Sequence, residues 1–332
     1  MKERVLITGA SGFVGYHLVQ QALQKNLEVF AAVRPSSRID HLQSSPVNFT
    51  ALAFDDPGQL ERELKRHQYQ YIIHAAGLTR AKTQQDYDRV NADFSRNLAA
   101  SAMASGVPLK KFVFISSLAA LGPLKAGDTT PISSSHPPHP VTAYGKSKLL
   151  AEKYLAEIPG LPLTVIRPTA VYGPRERDLF ILINTIANGF EPYIGRNKQQ
   201  LSFVYVKDLA EIVVNTLTKT VNAGNAYNIS DGAAYDKYRF GEITRKLLDK
   251  RTVKFHIPLV LVKGLAFFME KAYTFSSAPP VLNQEKMHEL TAENWVCSIA
   301  EAKEDLDFVP KYNLESGLEE TIKWYRENKW LN

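Results

Sequence analysis

A tyrosine and a lysine stand four residues apart in Tyr144-Gly145-Lys146-Ser147-Lys148. On a helix, residues i and i+4 share one face, so this spacing places a phenol beside an ammonium. A free phenol has a pKa of about 10, too high for a base near neutrality. A neighbouring cation favours the phenolate and draws that value down, which makes the pair a candidate acid/base. A second feature opens the chain: Thr8-Gly9-Ala10-Ser11-Gly12-Phe13-Val14-Gly15 follows the apolar run Val5-Leu6-Ile7. That run reads as a buried parallel strand. From Phe13 onward, Phe13, Val14, Leu18, Val19, Ala22 and Leu23 fall at helical spacing. The turn therefore joins a strand to a helix N-terminus, where N–H groups and the helix dipole favour a pyrophosphate. Glycine there removes the Cβ atoms that would hold phosphate away. A nucleotide site beside a tuned tyrosine implies hydride chemistry at a carbon bearing a hydroxyl or carbonyl.

The elements that must position these groups alternate. The patterning predicts strands over 5–8, 29–33, 48–53, 71–74, 111–116 and 163–166, and helices over 14–25, 57–66, 87–105 and 143–157. Such alternation predicts an α/β chain, a Rossmann-type doubly wound parallel sheet. In sheets of this kind the carboxyl ends of the strands carry the site. Phe112-Val113-Phe114-Ile115-Ser116-Ser117 is a strand ending in two serines, and a serine there can donate to a substrate oxygen. Positions 123–140 are rich in Pro, Ser and His and read as a long loop. Its His136 and His139 have no acidic or cysteine partners at ligand spacing, so no metal is expected. After position 174 the pattern is less regular. Residues 1–173 are expected to form the dinucleotide-binding domain, with part of 200–230 returning to it, and 174–332 mainly a smaller substrate-binding lobe.

The glycines are spaced three and three, and with the Tyr–Lys pair this resembles the short-chain dehydrogenase/reductase superfamily. Length and motif variants resemble its extended branch, the epimerase/dehydratase group, nearest to 3β-hydroxysteroid dehydrogenases and dihydroflavonol reductases. The resemblance implies a catalytic set of Ser117, Tyr144, Lys148 and Asn91. Gly122, five residues past Ser117, fits the family pattern, whereas Phe94-Ser95 replaces the Gly-Thr that usually follows the asparagine. It implies cofactor contacts from Gly9, Ser11, Gly12, Phe13, Val14 and Gly15. Ala75, Ala76 and Gly77 join them after the fourth predicted strand, as do Tyr144, Lys148, Pro168 and Val171, with Asp55 on the adenine side. The second strand ends without a carboxylate. Arg34 stands where a guanidinium can grip a 2′-phosphate, with Ser36 and Arg38 nearby, so NADP is expected over NAD. The alternative is Arg34 stacked on the adenine of NAD.

Two positions narrow the reaction. Dehydratases of the family carry an Asp-Glu pair where this chain has Leu118 and Ala119. Many sugar-nucleotide epimerases hold a diphosphate with an arginine seven residues before the position of Asp208, and here that residue is Leu201. The expected function is an NAD(P)-dependent oxidoreductase acting by Ser-Tyr-Lys catalysis on a hydroxyl or ketone of a mainly apolar small molecule. The alternatives are an NAD-dependent sugar or nucleotide-sugar epimerase and a nucleotide-sensing regulator without turnover. The intact serine, tyrosine and lysine disfavour the latter.

Composition bounds the rest. The 332 residues are 45% hydrophobic with a scattered net charge of +6. No dense basic run is interleaved with aromatics, so nucleic acid is not implied. Cys297 is the sole cysteine, which fits a reducing compartment, and a cytoplasmic location is expected. The first apolar run is too short for a signal-peptide core. The stretch 257–269 is too short to span a bilayer, which takes about 20 residues. It reads as a buried helix beginning near Pro258, with a membrane-surface helix or the wall of an apolar pocket as alternatives. A homodimer is expected through the helices holding 91–105 and beginning near Ala143. Their Ala99, Ala102, Met103, Leu149, Leu150, Tyr154 and Leu155 exceed what one sheet face can cover.

Overall fold

The computed structural model describes residues 2–125, 127–272 and 284–331. The strands are β1 Arg4–Thr8, β2 Glu28–Ala32, β3 Asn48–Thr50, β4 Tyr71–His74, β5 Lys111–Ile115, β6 Leu163–Pro168 and β7 Ala170–Tyr172. They continue as β8 Phe190–Ile194, β9 Gln200–Leu201, β10 Phe203–Tyr205, β11 Asn225–Ile229, β12 Tyr235–Asp236, β13 Val253–Ile257 and β14 Asn294–Trp295. The helices begin with α1 Phe13–Gln24, α2 Pro57–His67, α3 Gln84–Asp88, α4 Phe94–Ala104, α5 Ala143–Ala156 and α6 Asp178–Ala187. They end with α7 Val206–Thr216, α8 Arg239–Leu248, α9 Leu259–Ala272, α10 Gln284–Thr291, α11 Ala300–Leu306 and α12 Leu314–Glu327.

Seven strands form one sheet in the order β11-β6-β5-β4-β1-β2-β3, and every pairing in it is parallel. Both faces are covered. Val5, Ile7, Ile73 and Val113 pack with Leu18 and Val19 of α1 and Leu209 and Val213 of α7. The alternate residues Leu6, Ile72, Phe112 and Phe114 turn to Leu60 of α2, Leu98 of α4 and Leu155 of α5. Burial on both faces is why these strands are continuous apolar runs rather than alternating ones. The predicted Rossmann-type sheet is thus the observed one, closed at one edge by β11, which pairs with β6.

Two local expectations differ. The predicted helix 87–105 is broken: α3 passes through a π-helical turn at Arg89–Asp93 into α4. The wider turn carries Asn91 inward, where its side chain bonds backbone from outside the helix. The second difference concerns α9, whose Val262 is buried, while Val260, Leu261 and Leu265 are 80%, 64% and 55% exposed. Among the described residues, its Val262 and Leu259 pack with Met287, Ile194 and Ile257. Of the residues cited for a dimer, Ala99, Ala102 and Leu155 are already closed inside the chain's own core, leaving Met103, Leu149, Leu150 and Tyr154 half-buried.

A second apolar cluster lies outside the main sheet. Tyr172, Phe203 and Tyr205 pack with Ile183 of α6, Phe240 of α8 and Leu318 and Tyr325 of α12. Among the described residues no helix is long and apolar enough to cross a membrane.

Candidate active site

β1 and β4 lie side by side, yet the chain leaves β1 toward β2 and leaves β4 toward β5. The divergence opens a crevice at their carboxyl ends, the place where ligands bind in such sheets. The glycine turn fills it. Gly9 has φ +69°, a left-handed conformation that glycine adopts without strain, and its carbonyl accepts from Gly12 N–H at 2.9 Å. A Cβ on Gly9 would lie 2.8 Å from the backbone of Ala75 and Ala76, and one on Gly15 would lie 2.0 Å from the Gly9 carbonyl oxygen. Turn, helix and the end of β4 can therefore close up only with glycine at these positions. α1 starts without a side-chain cap or a first-turn acid, which leaves its dipole to an anion. Ser11, Phe13 and Val14 lie on this turn and Ala75, Ala76 and Gly77 face it across the crevice, so these predicted cofactor residues come together.

A buried polar network braces the crevice. Thr8 Oγ1 and His74 Nδ1 are 2.7 Å apart, His74 Nε2 and Ser95 Oγ 2.8 Å, and Ser95 Oγ donates to the Asn91 carbonyl at 2.6 Å. Ala76 N–H donates to Thr8 Oγ1 at 3.1 Å. The donors run in one direction if His74 is neutral and protonated at Nε2. Burial, aided by the Lys148 charge, pushes its pKa down to about 3, so neutral is the stable form. Asn91 Oδ1 accepts from Leu78 N–H at 2.7 Å, and its Nδ2 donates to the Leu78 carbonyl at 3.0 Å and to Ser147 Oγ at 2.9 Å. The asparagine thereby ties the wide turn to the helix that carries Tyr144 and Lys148.

That helix, α5, begins at Thr142, whose hydroxyl caps Gly145 N–H at 3.0 Å. Gly145 is needed because a Cβ there would lie 2.3 Å from the Ala119 carbonyl oxygen. Ser117 ends the β5 segment and accepts from Ala119 N–H at 3.1 Å. Its hydroxyl is within hydrogen-bonding reach of the Tyr144 phenol and lowers the phenol's pKa. Burial outweighs this and pushes Tyr144 up to about 12. The downward pull expected from Lys148 is not found. The ammonium instead donates to the Ile115 carbonyl at 2.9 Å and lies 4.8 Å from the centre of the Phe114 ring. Burial brings Lys148 down to about 8, opposed by the Glu152 carboxylate.

Glu152, one turn beyond Lys148, escaped sequence reading. It is buried and accepts from Ser116 Oγ, from Arg167 Nε at 3.0 Å and from Arg167 Nη2 at 2.5 Å. Arg167 also reaches the Ser134 carbonyl at 2.9 Å, so the pair fastens the 123–140 loop to α5 and β6. An acid on the apolar side of α5 was the available signal. His74, Thr8 and Ser95 were missed because their partners lie far apart in sequence.

The remaining candidates are dispersed. Pro168 is buried at the end of β6, and Val171 lies in β7. Arg34 is exposed just past the end of β2, in a turn closed by Ser37. Asp55 is 66% exposed and pairs with Arg89 at 3.6 Å. Leu201 packs beside the Tyr172 cluster, and the buried Asp208 accepts from Lys311 and Tyr312 N–H at 3.1 and 3.0 Å. Among the described residues no group of three or more His, Cys, Asp or Glu is placed to hold a metal.

A glycine turn at the switch point of a parallel sheet defines a dinucleotide-binding α/β protein. Residues 5–230 match the model of the NAD dependent epimerase/dehydratase family, and the chain belongs to that family. It is 27% identical over 332 residues to a ceramide reductase of Caulobacter vibrioides (strain NA1000 / CB15N), covering 98% of this chain and 96% of that protein. It is also 27% identical over 345 residues to a UDP-glucose 4-epimerase of Vibrio cholerae, covering 97% and 95%. The fold is similar to that of a UDP-glucose 4-epimerase from Thermotoga maritima solved with UDP-glucose, with a TM-score of 0.79, 22% identity and coverage of 98% and 99%. The crevice fits the family's nicotinamide dinucleotide. The glycine cradle admits no side chain, and a Cβ on Gly77 would meet Asn91 Oδ1 at 3.0 Å and Lys148 Nζ at 3.3 Å.

Proposed function

We propose that this chain is a reductase of the extended short-chain type, acting on a ketone or hydroxyl carbon of a mainly apolar small molecule. The observation that carries the reading is Tyr144: a phenol held protonated by burial, within reach of Ser117, beside the dinucleotide crevice. A neutral phenol is equipped to donate a proton, which is the requirement of carbonyl reduction. A nicotinamide dinucleotide held by the glycine turn would supply hydride chemistry at the substrate carbon. Tyr144 Oη gives its proton to the substrate oxygen, and Ser117 Oγ donates a hydrogen bond to the same oxygen. Lys148 is charged below about pH 8, and its assigned role is to hold the cofactor's ribose. Asn91 holds α5 and the β4 end in register.

The apolar substrate class is supported by Leu201, Leu118 and Ala119, none of which can grip a diphosphate or relay a proton, and by likeness to the ceramide reductase. NADP is favoured by Arg34 and by the lack of a carboxylate at the end of β2. Met103, Leu149, Leu150 and Tyr154 are assigned to a homodimer contact on α4 and α5. The buried free thiol of Cys297 suits a reducing, cytoplasmic setting.

Purified protein with NADPH or NADH and a ketone series of rising alkyl surface tests the reading, run beside UDP- and dTDP-sugars. Each buried CH₂ adds about 0.8 kcal/mol, so KM should fall roughly fourfold per methylene. The Vibrio relative keeps the epimerase reading in view. Tightly held NAD with turnover confined to nucleotide sugars would replace the reductase by it.

A further inference from the structure

The pair β8–β13 is parallel, with Val253 opposite Phe190, Phe255 opposite Pro192 and Ile257 opposite Ile194. Those six side chains share one face, and all six are apolar. The other face carries Lys254, His256, Glu191 and Tyr193 and is packed: Glu191 and Tyr193 are buried, and Lys254 lies 3.9 Å from the centre of the Tyr238 ring. α9 covers one end of the apolar face through Val262, which meets Ile194 and Ile257. The other end stays open, with Val253 64%, Phe190 53% and Phe255 39% exposed. On the outer side of α9, Val260, Leu261 and Leu265 fall within an arc of about 140° at 100° per residue. An apolar helix side turned outward reverses the usual arrangement.

The two segments that form this surface carry mostly positive charge. Residues 189–199 and 250–265 contain Arg196, Lys198, Lys250, Arg251, Lys254 and Lys263 and one carboxylate, the buried Glu191, while Lys254 pairs with Glu242 and Lys250 lies beside Asp249. Arg196, Lys198, Lys250, Arg251 and Lys263 are exposed and, among the described residues, in no ion pair. A second copy seated on the same face would bring these cations against each other. An anionic surface would neutralise them while its interior received the apolar side chains. The surface also adjoins the catalytic end of the molecule. α9 packs on α10 through Val262 and Met287, and Glu289 of α10 lies close enough to Tyr144 to raise its pKa.

We propose that the outer side of α9 and the open face of β8–β13 rest on an anionic phospholipid bilayer, with Val260, Leu261 and Leu265 entering the headgroup boundary and the flanking lysines and arginines holding lipid phosphates. The proposal goes beyond the reductase reading and does not depend on it. The test is flotation of the purified full chain with phosphatidylcholine vesicles, with and without phosphatidylglycerol. Wild type should bind the anionic vesicles, bind them less as salt rises, and bind neutral ones weakly. Lys250→Gln with Arg251→Gln should weaken partitioning roughly 25-fold, about fivefold per charge. Leu261→Asp with Leu265→Asp should lose at least about tenfold, with dinucleotide binding and thermal unfolding unchanged. Tyr144→Phe should float as wild type does, so a failure of the catalytic reading leaves this result unaffected. Absence of wild-type binding to anionic vesicles overturns the proposal. So does equal binding by the Asp variant, or a concentration-dependent dimer that the Asp variant dissolves while vesicles capture nothing.

Discussion

β1, β4 and β5 are buried on both faces, whereas β8 buries only Glu191 and Tyr193 and β13 buries no residue. The two regions share a parallel pairing and a taste for apolar residues, and they differ in what lies above them. Helices on both sides of the main sheet exclude water. Inside that shell polar groups such as His74, Asn91 and Glu152 must bond one another, and they do so in one arrangement. At β8–β13 no such pressure exists on the outer face, and cations remain available to solvent. Coverage, more than strand sequence, decides which region is a fixed platform and which is a surface.

The largest effect should come from the covered region. Tyr144→Phe is expected to lower kcat by roughly 10²–10⁴-fold, with dinucleotide affinity within a few-fold by titration. Turnover near wild type would remove Tyr144 from the mechanism. Next, Glu152→Ala strands the buried Arg167 charge and should cost about 3–5 kcal/mol in chemical denaturation. A cost under about 1 kcal/mol would mean that water already serves this pair.

The two regions can be set against each other with one residue type. Leu6→Ala, in the closed core, should cost about 2–5 kcal/mol, while Leu261→Ala should stay within about 0.5 kcal/mol. Similar costs would mean that α9 is covered in solution and would erase the contrast. A smaller effect belongs to Arg34→Ala, which should weaken NADP by about 1.5–3 kcal/mol and NAD much less. Equal weakening would point to adenine stacking.

Acid should act first on the covered region. His74 and His17 are held neutral by burial, with values near 3 and 4. The unfolded chain takes up these protons near pH 6.5, and the folded chain does not. Stability is therefore fully present above about pH 6.5 and falls as pH drops toward 4, by about 1.4 kcal/mol per pH unit for each histidine. Denaturant midpoints that stay flat between pH 6.5 and 4.5 would show that water reaches these rings.

Much of the covered region was legible. The glycine turn, the first strand and α1 are adjacent in sequence, and their period and punctuation are local. The Tyr144–Lys148 spacing is likewise a property of one helix. Legibility ended where a residue's state depends on distant neighbours. The break in the 87–105 helix follows Asn91 bonding Leu78, and the Glu152–Arg167 pair joins a helix to a later strand. α9 looked buried because its composition is apolar, and composition carries no information about what stands opposite.

The sequence by itself determined the parallel sheet, the glycine turn between β1 and α1 and the four-residue spacing of Tyr144 and Lys148, because each rests on short-range periodicity and spacing. Only the tertiary structure decided the protonation of that pair. Burial raises Tyr144 to about 12 and lowers Lys148 to about 8, and the Ile115 carbonyl draws the ammonium aside. It alone also decided which apolar stretch is core and which is surface, since removal from water is a property of the assembled chain and not of any segment.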